Sequence, residues 1–368
     1  MSAATPALSH DTPPRIGALA SGALDAITDV PGVTVGHATH ASGDVQTGVT
    51  VVHAHGQDPY RHKVPAGVAV INGFGKSVGL LQLEELGQLE TPIALTNTFS
   101  TSAMAQAQIR ECVERNPETG RAWPTVNPLV LECNDGYLND IQRMVLGEAD
   151  YRQASAEAQA QFAQGAVGAG RGMSSFQLKG GVGTASRRAP LLDGSTYTVG
   201  ALVFANNGVL PHLVWGGVPL GGDIATLLDD DARMQAQAAE KGSIIMLLAT
   251  DAPLGARQLK RLALRAAAGL ARTGSVYGHG SGDIALAFST AYTLPHLAET
   301  PMPQVAMVHE TLMDGLFVAA ADAVEQAIVH ALWHAEPVQG RNGHSRPCIR
   351  ELLSRLRAPA VPSPDSRS

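Results

Sequence analysis

The sequence predicts an α/β fold in which sheets and helices are stacked in layers, and three features carry that expectation. Short β-branched runs recur between Gly and Pro punctuation, two longer runs are apolar on both faces, and stretches of helical period lie between them. Order is expected to begin at Ile27-Thr-Asp-Val-Pro-Gly-Val-Thr-Val-Gly36, a strand-and-turn pattern. Thr47-Gly-Val-Thr-Val-Val-His53 and Val64-Pro-Ala-Gly-Val-Ala-Val-Ile-Asn-Gly73 follow as strands, then a Leu-rich helix over 78–89 and a second helix over 102–115. Tyr197-Thr-Val-Gly-Ala-Leu-Val-Phe-Ala-Asn206 and Ile244-Ile-Met-Leu-Leu-Ala249 read as strands buried on both faces, which need covering layers. One covering helix spans 256–272, with Leu259, Leu262, Ala266 and Leu270 on one stripe and Gly274 as its stop. A last helix runs over 316–333 and ends before Pro337.

At 368 residues and 45% hydrophobic content the chain can build one large core, assigned to a single domain over 26–357. Residues 1–25, rich in Ala, Ser, Pro and Thr, read as a flexible arm, and 358–368 as a disordered tail. A net charge of −7 with no basic tract argues against nucleic acid as a partner. Cys112, Cys133 and Cys348 are widely spaced and odd in number, which fits reduced thiols rather than a disulfide framework or a zinc site. The first residues lack the cationic start and apolar run of a secretory signal, and no uninterrupted apolar stretch reaches membrane-spanning length, so the expected compartment is the cytoplasm, away from any membrane.

Several motifs fail on inspection. Gly73-Phe-Gly-Lys-Ser77 ends like a phosphate-binding loop, but Val70 stands where its first glycine belongs. Gly168-Ala-Gly-Arg-Gly172 lacks the third glycine of a dinucleotide fingerprint, and Gly278-His-Gly-Ser-Gly282 is not a nucleophile elbow, because His279 and Asp283 occupy the glycine positions around Ser281. His53 and His55 share one face of a strand without a further ligand cluster in the sequence, so neither a metal nor another cofactor is expected.

Polar clusters at the ends of apolar strands carry more. They are Leu131-Glu-Cys-Asn-Asp-Gly-Tyr-Leu-Asn-Asp140, Phe204-Ala-Asn-Asn-Gly208, Lys241-Gly-Ser243 and Gly278-His-Gly-Ser-Gly-Asp283. Residues 229–242 are polar and charged, yet they run straight into the buried strand that begins at Ser243. An exposed loop therefore meets a core strand at a Gly-Ser pair.

Taken in order, these clusters resemble the DmpA-type L-aminopeptidase/D-esterase-amidases and the related β-peptidyl aminopeptidases, over roughly residues 27 to 340. The resemblance rests on Ile27 through His37, Thr91-Pro-Ile-Ala-Leu-Thr-Asn-Thr98, Asn134 through Asp140, Lys179-Gly-Gly-Val-Gly-Thr-Ala-Ser-Arg187, Ser243 through Pro253 and Gly280-Ser-Gly-Asp-Ile284. It implies a four-layer αββα sandwich, as also found in ornithine acetyltransferases. It further implies a precursor that cuts itself between Gly242 and Ser243 into 1–242 and 243–368, with Ser243 as an N-terminal nucleophile. A terminal amine has a reference pKa of about 7.7 to 8.0, so nucleophile and base would reside in one residue.

By the same resemblance Ser281 and Asp283 stand beside Ser243 to orient its hydroxyl and amine, Asn206 stabilises the oxyanion, and Tyr137 is an active-site tyrosine. Glu132 is placed to pair with the ammonium group of the substrate. Taken alone, Ser281-Gly-Asp283 also reads as a turn before a strand, Asn206 as a loop residue, Tyr137 as a packing tyrosine and Glu132 as a solvent-facing carboxylate. The substrate class implied is a peptide, an aminoacyl amide or an ester, and the assembly implied is a homo-oligomer, a tetramer of cleaved pairs. Two departures stand out: Glu240-Lys241 puts charge before the scissile glycine, and Asp283 is one methylene shorter than the glutamate of some relatives. The alternatives are an acyltransferase of the ornithine acetyltransferase type, which uses Thr where this chain has Ser243, and a non-catalytic binding protein of the same fold.

Overall fold

The computed structural model describes residues 11–228, 242–298 and 303–357, so the loop over 229–241 and the tail over 358–368 lie outside the described residues. The longer strands in chain order are β1 (Thr34–Ser42), β2 (Val45–His53), β3 (His62–Gly73), β4 (Ile93–Asn97), β5 (Leu129–Cys133), β6 (Gly181–Pro190), β7 (Thr196–Asn206), β8 (Ser243–Thr250) and β9 (Gly282–Ser289). The helices are α1 (Leu80–Leu86), α2 (Thr101–Arg115), α3 (Glu148–Ala156), α4 (Gly221–Leu227), α5 (Ala256–Leu264), α6 (Ala266–Arg272), α7 (Asp314–Trp333) and α8 (Ile349–Arg357).

Two sheets organise these elements. The smaller has the order β1-β2-β4-β5, and the larger β3-β9-β8-β7-β6, with Leu294–Pro295 and Gln88–Leu89 pairing along β3. All eight residues of β8 are buried. Successive side chains of a strand point to opposite faces, and here both faces are apolar. Ile244, Met246 and Leu248 join Leu259, Leu270 and Val324 between the large sheet and α5–α7, whereas Ile245 and Leu247 join Val35, Leu95 and Leu131 between the sheets. A third core, with Val49, Val51, Met104, Tyr151 and Ala154, lies between the small sheet and α2 and α3. Three cores separating four layers make the αββα sandwich, and β8 lies in its inner part because its run has no polar face.

Close approach of the layers depends on small residues. A Cβ on Gly183 would stand 2.0 Å from the carbonyl oxygen of Ala327, so only glycine lets α7 lie this close to β6. By length and composition α7 is apolar enough to cross a membrane, but 83% of its apolar window is buried in this core.

The structure departs from expectation in four places. The helix over 78–89 shortens to α1, because Gly87 adopts φ +65° and Gln88–Leu89 pairs with β3 instead. The helix over 256–272 divides at Arg265 into α5 and α6. A helix the sequence reading missed, α8, precedes the tail. Finally, residues 14–25 are tied to the body. The Ile16 N–H donates to Gln326 Oε1 (2.8 Å), Arg188 N–H to the Ala20 carbonyl (2.7 Å), and the fully buried Arg187 guanidinium to Ile16 O (2.8 Å) and Asp25 Oδ1 (3.1 Å). β6 is an edge strand carrying a buried cation, and the arm supplies the partners both need.

Candidate active site

The strand pairing brings one end of several strands to a common rim. Asn206, last in β7, is the register partner of Ser243, first in β8, and Ser243 is in turn the partner of Gly282, first in β9. The N–H of Gly282 donates to Ser243 Oγ at 3.1 Å. Because that oxygen accepts rather than donates here, the hydroxyl proton stays available to a base. Just upstream, a Cβ on Gly242 would stand 2.1 Å from the Asn206 carbonyl oxygen, so the residue before Ser243 has to be glycine for the chain to pass the end of β7.

Asn206 is held from both sides of its amide. Its Oδ1 accepts the Ser174 N–H at 2.8 Å and its Nδ2 donates to the Asn134 carbonyl at 3.1 Å. An amide nitrogen has two N–H donors, so one remains after Asn134 is satisfied. Ser174 itself sits on a small hairpin, Ser174–Ser175 paired with Leu178–Lys179. The buried Lys179 ammonium anchors that hairpin by donating to the carbonyls of Gly170, Met173 and Gly180 at 3.1, 2.9 and 2.7 Å.

On the other flank, the Glu132 carboxylate is buried, not solvent-facing. Its Oε1 accepts the backbone N–H of Lys76 at 2.8 Å and its Oε2 the hydroxyl of Thr98. The loop dismissed as a phosphate site thus serves to hold this carboxylate. A Cβ built on Gly75 would meet Glu132 Oε1 at 3.6 Å and Gly282 Cα at 4.0 Å, so the Glu132 carboxylate and the residue bonded to Ser243 both border Gly75. Each carboxylate oxygen keeps a second lone pair for a cation.

Ser281 and Asp283 are fully buried, and Ser281 Oγ donates to Asp283 Oδ1 at 2.7 Å. The Ser281 carbonyl accepts from Phe74 N (3.3 Å) and from the Asn72 side chain. A bulge between Asp283 and Ile284 breaks the β3–β9 register where this pair sits, the kind of irregularity that re-aims a side chain beside a site. Tyr137 lies one turn beyond Asn134. Its ring stacks on His344 (4.7 Å between centroids, 14° between planes) and under Arg346, whose Cζ is 3.7 Å from the centroid. Among the described residues no hydrogen bond joins its hydroxyl to Ser243 or Asn206. His53 and His55 bond separately, to Ser155 Oγ (3.1 Å) and the His62 carbonyl (2.7 Å).

A buried serine at a Gly-Ser junction, an anchored amide on one side and a buried carboxylate on the other thus lie around the start of β8. The model of peptidase family S58 matches residues 25–346, and the chain belongs to that family. It is 39% identical over 342 residues to the beta-peptidyl aminopeptidase BapA of Sphingosinicella microcystinivorans, covering 88% of this chain and 85% of the relative. The solved L-aminopeptidase D-Ala-esterase/amidase of Ochrobactrum anthropi, described as a prototype serine aminopeptidase with a variant of the Ntn hydrolase fold, superposes with TM-score 0.84 at 35% identity, covering 92% of this chain and 95% of that one. A beta-aminopeptidase from Burkholderia sp. superposes with TM-score 0.83 at 40% identity, covering 93% and 96%. The chain is a peptide hydrolase of the aminopeptidase type, with the DmpA-type fold expected from its sequence.

Proposed function

We propose that Ser243 is the nucleophile, first of its own maturation and then of aminopeptidase turnover. The observation that carries this reading is the position of Ser243 Oγ: it accepts the Gly282 N–H, faces Asn206 across the ladder and follows a glycine that packing requires. In maturation the hydroxyl attacks the Gly242 carbonyl, the amide nitrogen leaves as an ester forms, and water releases a Gly242 carboxylate and a free Ser243 amine. In turnover that amine takes the hydroxyl proton as Oγ attacks the substrate carbonyl. The remaining Asn206 N–H stabilises the oxyanion, the leaving amine takes up the proton, and water hydrolyses the acyl-enzyme.

Glu132 selects substrates with a free ammonium group, which limits cleavage to the first residue. The Ser281–Asp283 pair orients the new amine, and Tyr137 supports the wall of the site through its packing. The substrates are peptides, aminoacyl amides or esters. Ser243→Ala tests the central claim: N-terminal sequencing and aminopeptidase rate are measured on the same sample. The expected outcome is loss of both the fragment beginning at residue 243 and all turnover, and persistence of either overturns it.

A further inference from the structure

Opposite charges lie on the two flanks of Ser243, Glu132 from β5 of the smaller sheet and Arg346 from the segment before α8. On the β9 side, the Glu132 carboxylate and Gly282 both border Gly75. On the β7 side, Arg346 donates through Nε to Ser174 Oγ at 2.8 Å, and the N–H of Ser174 donates to Asn206. The guanidinium also lies over the Tyr137 ring, its Cζ 3.7 Å from the centroid, and that ring is stacked by His344, whose Nδ1 bonds the Tyr137 carbonyl at 2.9 Å. Arg346 is therefore fixed at its Nε edge and over its face, while its two terminal nitrogens bond nothing among the described residues, and no carboxylate there pairs with it. Burial also draws its pKa down, as expected of a cation without a counter-charge.

We propose that Arg346 is a specificity-determining residue that receives the C-terminal carboxylate of a short peptide substrate. A guanidinium with a free two-nitrogen edge matches a carboxylate bidentately. The direction follows from chemistry: with the substrate ammonium at Glu132, the leaving group extends past the scissile carbonyl toward β7, where Asn206 and Arg346 stand. The span agrees. β9, on the Glu132 flank, and β7, whose Asn206 is linked to Arg346 through Ser174, are two strand spacings apart, about 10 Å, and an extended chain covers roughly 3.5 Å per residue, so a zwitterionic dipeptide or slightly longer peptide has the length to run from one flank to the other. The site thus favours small peptides with both termini free over longer or blocked ones.

This inference rests on Ser243 as nucleophile and Glu132 as ammonium anchor, and its test keeps the two apart. The mature enzyme is assayed on L-alanyl-L-alanine and β-alanyl-L-alanine, each as free acid and as C-terminal carboxamide. The wild type is expected to favour the acid in kcat/KM by on the order of tenfold, mainly through KM, the scale of one charge-assisted pair at a half-buried site. Arg346→Gln is expected to bring the acid-to-amide ratio close to one, and Arg346→Lys to retain part of it. A wild-type ratio near one overturns the proposal without any variant, and so does a ratio left unchanged when Arg346→Gln slows both substrates alike, the mark of support for Asn206 alone. Failure of the wild type to cleave any of the four would instead overturn the proposed reading of Ser243 and Glu132, and this inference with it.

Discussion

A serine hydroxyl becomes a useful nucleophile only when its proton has somewhere to go and the developing oxyanion has a fixed donor, and in the proposed mechanism Asn206 is that donor. Replacing it with Ala is expected to cost on the order of 10²-fold or more in kcat, the usual loss for one oxyanion-hole donor. Asn206→Asp keeps the Oδ1 that accepts from Ser174 but loses both N–H donors, so it is expected to lose turnover similarly while keeping that tether. Turnover of Asn206→Ala within about threefold of the parent removes the residue from the site. Ser243, Asn206 and Glu132 share one property legible in the sequence, that each lies where an apolar run begins or ends, but the role of each is implied by the family resemblance and not by that pattern. Ser174, Lys179 and Arg346 carry no such mark. Arg346 meets Ser174 across 172 positions of chain, and nothing in the spacing of either residue announces the contact.

Elements were legible where periodicity was unbroken and obscure where tertiary contacts overrode it. The run from Ile244 announces a buried strand, and β8 is one. The division of the 256–272 helix at Arg265 follows from packing on both sides: the Arg265 guanidinium covers the Phe317 ring of α7 (4.1 Å), and Gly269 of α6 runs close against the Ala321 carbonyl. The turn after β5 is governed likewise. Its Asp135 carboxylate accepts from Thr47 Oγ1 (2.5 Å) and Asn139 Nδ2 (3.0 Å), fixing the segment that presents the Asn134 carbonyl and the Tyr137 ring. Burial raises Asp135 from 3.8 to about 6 despite those bonds. A carboxyl with a folded pKa above its unfolded value favours the folded state fully below about pH 4, and that contribution is lost as pH rises through about 6. The loss amounts to roughly 2 to 3 kcal/mol. Thermal melts of wild type and Asp135→Asn at pH 4, 5, 6 and 7 are expected to show the variant gaining relative to wild type as pH rises. A constant difference across that range would count against the assignment.

At the scale of the whole molecule, cutting at Gly242-Ser243 divides the sequence but not the sheet. The segment after the cut contributes β8 and β9 as the two central strands of the order β3-β9-β8-β7-β6, with β3 on one side and β7 and β6 on the other coming from the segment before it. Three antiparallel ladders therefore join the pieces: Val199 to Asn206 against Ser243 to Thr250, β3 against β9, and the short pairing of Leu294–Pro295 with β3. The core between the large sheet and its helices mixes both pieces too, since Val203 and Ala205 precede the cut while Leu259, Leu270 and Val324 follow it. Separating the fragments would expose all of that apolar surface at once and leave the backbone groups of those ladders unpaired. The mature protein is accordingly expected to show two bands on a denaturing gel, to elute as one species in native size exclusion, and to melt in a single transition. Within the processed material, hydrogen exchange in β8 is expected to be as slow as in β7, because neither strand can open without the other. Fragments that separate under native conditions, or a β8 that exchanges much faster than β7, would mean that the interleaved sheet does not hold the pair together.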